Sequence, residues 1–205
     1  MTKRLPGDKR KKTIIRAAIA VFSESNYRVA KIADVAGYAG VTEPVVYRHF
    51  ASKMDLFLEV LLVMGRRTVE RLLEASSNEP NSFKVLESAI WGYISSMDTY
   101  RRELKIFFQA ISEIDNEKVR GVLQGIYQNY ANCFREILKK GVEDGFIDGR
   151  VNIDDEGWIV TGHLIQLSTY SVLGLFDQER TTRFICQYIN DLRVKEKEVF
   201  ADRNE

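Results

Sequence analysis

Apolar residues recur at helical spacing along nearly the whole chain, and no stretch alternates apolar and polar residues long enough to read as a strand. Ile15, Ala18, Ile19 and Phe22 share one face, which predicts a first helix over residues 8–25. Asn26-Tyr27 ends it, since asparagine tolerates the left-handed conformation at a helix terminus. Ile32, Val35 and Ala36 predict a second helix over 32–38. Thr42 is a good N-cap for a third, with Glu43 and Pro44 in its first turn and its end near Phe50. Ser52 to Asp55 has the form of a capping box, opening a long helix towards Ala75. Residues 76–82, SSNEPNS, read as a loop. Helical periods then cover 83–100, 102–114, 117–143, 155–175 and 178–197, with a turn-rich stretch at 144–154. The expectation is an all-α fold of about nine helices without internal repeats.

The second and third helices, joined by a tight turn at Gly40, have the helix-turn-helix arrangement. Gly40 can take positive φ without a Cβ penalty. Val46 and Phe50, four apart, face inward. Pro44, Val45 and Arg48 share the opposite face, with Glu43 at its start. The major groove admits one α-helix, and such a face suits it: Arg48 to guanine, Glu43 to cytosine, Pro44 or Val45 to a thymine methyl.

Charge sharpens this reading. The whole chain is nearly neutral at +1, but residues 1–53 hold eleven Lys/Arg against four acids, a net +7. The remainder is −6. A basic first quarter on an acidic body suits a chain that meets nucleic acid at one end. The basic segment 1–12 lacks the apolar run of a signal peptide, and two cysteines, Cys133 and Cys186, are too few for a disulfide framework. The expectation is a reduced, cytoplasmic protein.

Residues 27–57, YRVAKIADVAGYAGVTEPVVYRHFASKMDLF, resemble the N-terminal domain of the TetR family of bacterial transcriptional repressors. The matching positions are Val35-Ala36, Ala39-Gly40-Val41-Thr42, Tyr47-Arg48-His49-Phe50 and Ser52-Lys53. The stretch TIIRAAIAVFSESNY before them is similar to the family's first helix. The resemblance covers about a quarter of the chain closely and implies a homodimer on palindromic DNA. Tyr47 and His49 match positions that contact phosphates in the family, and Lys53 beside the helix N-terminus at Ser52 suits another phosphate. Two positions depart from the pattern. Asn26 stands for the usual glycine, and Ala30-Lys31 for the usual threonine, so Lys31 supplies charge where a hydroxyl is expected. The DNA-binding set is therefore Lys31, Thr42, Glu43, Pro44, Val45, Tyr47, Arg48, His49 and Lys53, within a domain of residues 1–53.

Residues 54–205 are expected to form a helical ligand-sensing and dimerisation domain. Trp91, Tyr93, Phe107, Phe108, Tyr127, Tyr130, Phe134, Trp158 and Tyr170 lie on helices that can enclose an apolar cavity; His163 and Gln166 are either polar groups orienting a ligand or satisfied partners across a subunit interface. The family's C-terminal helices form such a pocket, whose ligand moves the DNA-binding domains apart. Residues 157–176 contain no Asp, Glu, Lys or Arg. Interspersed Thr, His, Gln and Ser argue against a membrane span, and a helix neutral on every side must be covered by protein. With the amphipathic last helix it is similar to the family's dimer interface, placing Leu164, Leu167, Ile185, Tyr188, Ile189 and Leu192 there.

No catalytic, cofactor or metal motif is visible. His163 has no metal partner at i±4, and there is no P-loop, nucleophile elbow or dinucleotide turn. The reading is a repressor released from its operator by a small apolar or aromatic effector. The alternatives are a constitutive DNA-binding protein whose C-terminal domain binds another protein, and a helical enzyme.

Overall fold

The computed structural model describes residues 7–194, with side chains from Lys9 onward. The basic residues 1–6 and the expected end of the last helix at 195–197 lie outside them. Eight helices make up the described fold: α1 (Gly7–Ser25), α2 (Ile32–Ala39), α3 (Glu43–His49), α4 (Lys53–Ala75), α5 (Ser82–Ile111), α6 (Glu117–Glu143), α7 (Ile153–Leu173) and α8 (Gln178–Leu192). Among the described residues the one extended pairing is an isolated bridge between Ile147 and Arg193.

Local chemistry accounts for most helix ends. Asn26 takes φ 70° after α1, and Gly40 takes φ 64° after α2. Ser52 accepts from the Asp55 N–H, and Asn81, Asn116, Asn152 and Asp177 cap the later helices in the same way. Thr42 occupies the N-cap of α3, but its side chain makes no capping bond. Lys31 caps α2 without a hydroxyl, and the Asp34 carboxylate instead accepts from the Lys31 N–H at 3.2 Å. The two helices expected over 83–100 and 102–114 are one, α5. No glycine or proline lies between Tyr93 and Gly121, so nothing at Arg101 stops the backbone ladder.

Two apolar clusters organise the packing. The first joins α1, α2 and α3 through Phe22, Val35, Val46 and Phe50 to Leu56, Phe57 and Val60 of α4. It continues into Ile106 and Ala110 of α5 and Val119, Leu123 and Ile126 of α6. The boundary expected after residue 53 is therefore not a packing boundary. The second cluster unites Leu72, Leu86, Ile90, Phe134 and Leu138 with Val160, Leu164 and Leu167 of α7 and Ile185 and Ile189 of α8. At Gly157 a Cβ would lie 2.8 Å from the Ala131 carbonyl oxygen, so this glycine allows the close approach of α7 to α6.

Candidate functional site

α3 is anchored by Val46 and Phe50, both buried, which turns Glu43, Pro44, Tyr47 and Arg48 to solvent. Val45 and His49 are half-buried at the edges of this face. Thr42 is exposed at its start, and its uncommitted hydroxyl suits a phosphate better than a cap. Lys12, Arg16 and Lys31 add exposed cations on α1 and at the start of α2. A short helix with its N-terminus outward, flanked by cations, has the shape and charge to enter a groove between phosphates.

Lys53 sits differently from the expectation. Its Nζ donates to three backbone carbonyls, those of Tyr27 at 2.9 Å, Ala30 at 3.0 Å and Arg28 at 3.2 Å. It also lies 4.8 Å from the centre of the Tyr27 ring. All three ammonium protons are thus engaged within the protein, so Lys53 acts here as a clamp on the α1–α2 connection.

Between α4, α5, α6 and α7 lies a largely enclosed cavity of about 50 Å³. Five of the expected residues line it: Tyr93, Phe107, Phe108, Tyr127 and Tyr130. The others lie elsewhere. Trp91 packs against the second core, and Trp158 is 44% exposed beneath the Arg135 guanidinium. His163 is wedged edge-on between Phe184 and Tyr188, and Gln166 is exposed, donating to the Tyr170 hydroxyl. They fail because aromatic type alone does not reveal which side of a helix faces the cavity. The lining includes hydroxyl residues that composition hides: Thr68, Thr161 and Ser168. Tyr93 and Ser168 share a hydrogen bond of 2.6 Å, and Thr68, Thr161 and Ser168 each donate to a carbonyl one turn back. The signal for Thr68, Thr161 and Ser168 was a small hydroxyl on an otherwise apolar stripe. Burial pushes the phenols of Tyr93, Tyr127 and Tyr130 up, so all three are neutral.

The expected interface residues also need correction. Leu164, Leu167, Ile185, Ile189 and Leu192 are each no more than 5% exposed, because α7 and α8 turn these side chains into their own subunit's core. Tyr188 is half-buried and donates to Glu156. The apolar surface of this pair is a different set, Trp158, Ile159, Leu173, Leu175 and Phe184, each between 41% and 63% exposed. Among the described residues no helix is long and apolar enough to cross a membrane, and no group of three or more His, Cys, Asp or Glu is placed to hold a metal.

The family model for bacterial regulatory proteins of the tetR family matches residues 14–60, which span α1 to the first turns of α4. The "Fatty acid metabolism regulator protein" of Bacillus subtilis is 23% identical over 82% of this chain and 80% of its own length. The fatty acid degradation regulator FadR of Bacillus halodurans has the same fold, with TM-score 0.75 and 18% identity over 91% of this chain and 96% of that one. Residues 14–60 are thus similar to the DNA-binding domain of the TetR family. The transcriptional activator FasR of Mycolicibacterium smegmatis is 29% identical over 52% of this chain, which spans about half (48%) of that relative's length. Members of the TetR family are DNA-binding transcriptional regulators, not enzymes.

Proposed function

We propose that this chain is a cytoplasmic, homodimeric transcriptional repressor that reads palindromic DNA through α3 and leaves its operator when a small apolar or aromatic molecule enters the α4–α7 cavity. The observation that carries the DNA half is the solvent face of α3, with Glu43, Pro44, Val45 and Arg48 towards bases and Thr42, Tyr47, His49 and Lys31 towards phosphates. The exposed apolar side of α7 and α8 supports self-association, since it would otherwise present a sizeable apolar patch to water. Two-fold symmetry then sets two α3 helices to half-sites about 34–36 Å apart.

The cavity supports the effector half over a DNA-binding protein with a filled, protein-binding C-terminal domain. Its wall is mostly apolar, and its titratable residues are neutral tyrosines, so it favours an uncharged body with hydroxyl-matched polar atoms. The name of the Bacillus subtilis relative, a fatty acid metabolism regulator, fits a ligand of this kind. Pockets that hold drug-sized ligands span roughly 300–1,000 Å³, so entry must displace the walls and favour a second arrangement of the helices.

The test is linkage. DNA selected from a random pool supplies the operator, and compounds are screened for its release. Calorimetry of a releasing compound then compares binding with and without operator. The affinity must fall in the presence of operator by the same factor with which the compound weakens DNA binding. A compound indifferent to operator is not the effector.

A further inference from the structure

The C-terminal end of α5 faces two ways. Leu104, Phe107, Phe108 and Ile111 line the cavity, while Gln109 and Glu113 reach the connection between α1 and α2. Gln109 accepts from the Tyr27 N–H at 2.9 Å and donates to the Phe22 carbonyl at 2.9 Å. One amide side chain thus spans the turn that Asn26 makes at φ 70°. Glu113 is ion-paired with Arg28, whose guanidinium also reaches the Ser112 carbonyl at 3.5 Å. On the other side, Lys53 holds the carbonyls of Tyr27, Arg28 and Ala30, where the chain enters α2.

We propose that Gln109 is the positioning residue that conveys the state of the cavity to the helix-turn-helix, with the Arg28–Glu113 pair as its second attachment. This rests on the reading that cavity occupancy alters DNA binding. Displacing Phe107 and Phe108 outward moves the backbone that carries Gln109. If the α1–α2 turn let go, the partly buried Tyr27 N–H would lose its partner, so the turn follows α5. α2 follows the turn because the chain runs directly from Ala30 and Lys31 into it, and α3 follows α2. The other covalent route is α4, which lines the cavity at Thr68 and Leu72 and begins beside α3. The two routes differ in whether removing Gln109 matters.

A double-mutant cycle on the full chain separates them without needing the effector. Ile165→Phe, on α7 across the cavity, fills it from the far wall. Affinity is read on a duplex selected from random DNA by the wild-type chain. Ile165→Phe is expected to weaken operator binding by about fivefold or more in the wild type. In the Gln109→Ala background the same substitution should change it by less than about twofold, the limit for independent sites. Equal effects in both backgrounds overturn the proposal and leave α4 as the carrier. Normal operator binding by the Ile165→Phe chain overturns the cavity-linked reading together with the proposal. Should Gln109→Ala not fold, Arg28→Ala at the exposed end of the ion pair replaces it and must shrink the Ile165→Phe effect. Amide exchange supplies a second readout: Tyr27 N–H must exchange faster in Ile165→Phe than in the wild type. An unchanged Tyr27 rate beside weakened DNA binding also overturns the proposal.

Discussion

The Lys53 ammonium lies 2.9 Å from the Tyr27 carbonyl oxygen and 4.8 Å from the centre of the Tyr27 ring. The ring in turn stacks on Phe57, with centroids 4.2 Å apart, and Phe22 meets both edge-on. One cation therefore ties the α1–α2 turn to the start of α4 and covers the aromatic heart of the first core. Hydrogen bonds to a charged group contribute about 1.5–3 kcal/mol. Lys53→Ala is expected to lower stability by an amount in that range, seen as an earlier urea midpoint. A Lys53→Ala chain of wild-type stability but weakened DNA binding would return this residue to the phosphate backbone.

Lys31 shows the opposite behaviour. Its side chain is exposed and supports no fold contact beyond its place at the N-cap of α2. Lys31→Ala should leave stability within about 0.5 kcal/mol. It should weaken binding to all DNA sequences alike and reduce the magnitude of the salt slope by about 1. An unaltered slope would remove Lys31 from the interface.

The two faces of α7 separate association from folding. Ile159→Asp, on the exposed face, should give a folded monomer in sedimentation at micromolar concentration. Leu167→Asp puts a charge in the core of a single subunit and should unfold the chain instead. Dissociation by Leu167→Asp with intact helicity, or a dimer that tolerates Ile159→Asp, would contradict this division.

His163 gives the fold a pH dependence. Burial holds its imidazole below the ordinary histidine value, against a smaller opposing pull from Glu156, and its Nδ1 is buried without a hydrogen-bond partner. On acidification below about 6.5 the unfolded chain takes up a proton that the folded chain resists, so this contribution to stability is lost as pH falls towards the lowered value. Above about 6.5 both states are neutral and it is fully present. Urea unfolding between pH 7.5 and 5.5 should show the decline, and His163→Phe should flatten it. Equal slopes in both chains would contradict the lowered value.

Much of this was legible in the sequence because short-range chemistry fixes it. Asn26, Gly40 and the Ser52–Asp55 pair end or begin helices where their conformational preferences require, and the Val46/Phe50 stripe orients α3. α7 was legible as a helix but not in its orientation. With no charged residue from Gly157 to Phe176, nothing in the sequence marks which apolar stripe meets the core and which stays exposed. Leu164 and Leu167 face the chain's own core, whereas the exposed apolar stripe runs through Ile159 and Phe184. The division of α5 at Arg101 had a related cause, since two arginines look like a solvent boundary yet are ordinary helix formers. Lys53 matches a DNA-contact pattern in sequence, and only the tertiary approach of Tyr27 shows where its protons go.

The central claim is that α3 reads base sequence through Arg48. Fluorescence anisotropy with the selected operator and a scrambled duplex of equal length tests it most directly. The wild-type chain should prefer the operator, with log affinity falling linearly against log salt by about 0.9 per phosphate contact. Arg48→Ala should lose about 1–3 kcal/mol of discrimination at one base pair per half-site while still binding both duplexes. A flat salt dependence, or full discrimination retained by Arg48→Ala, would contradict the account.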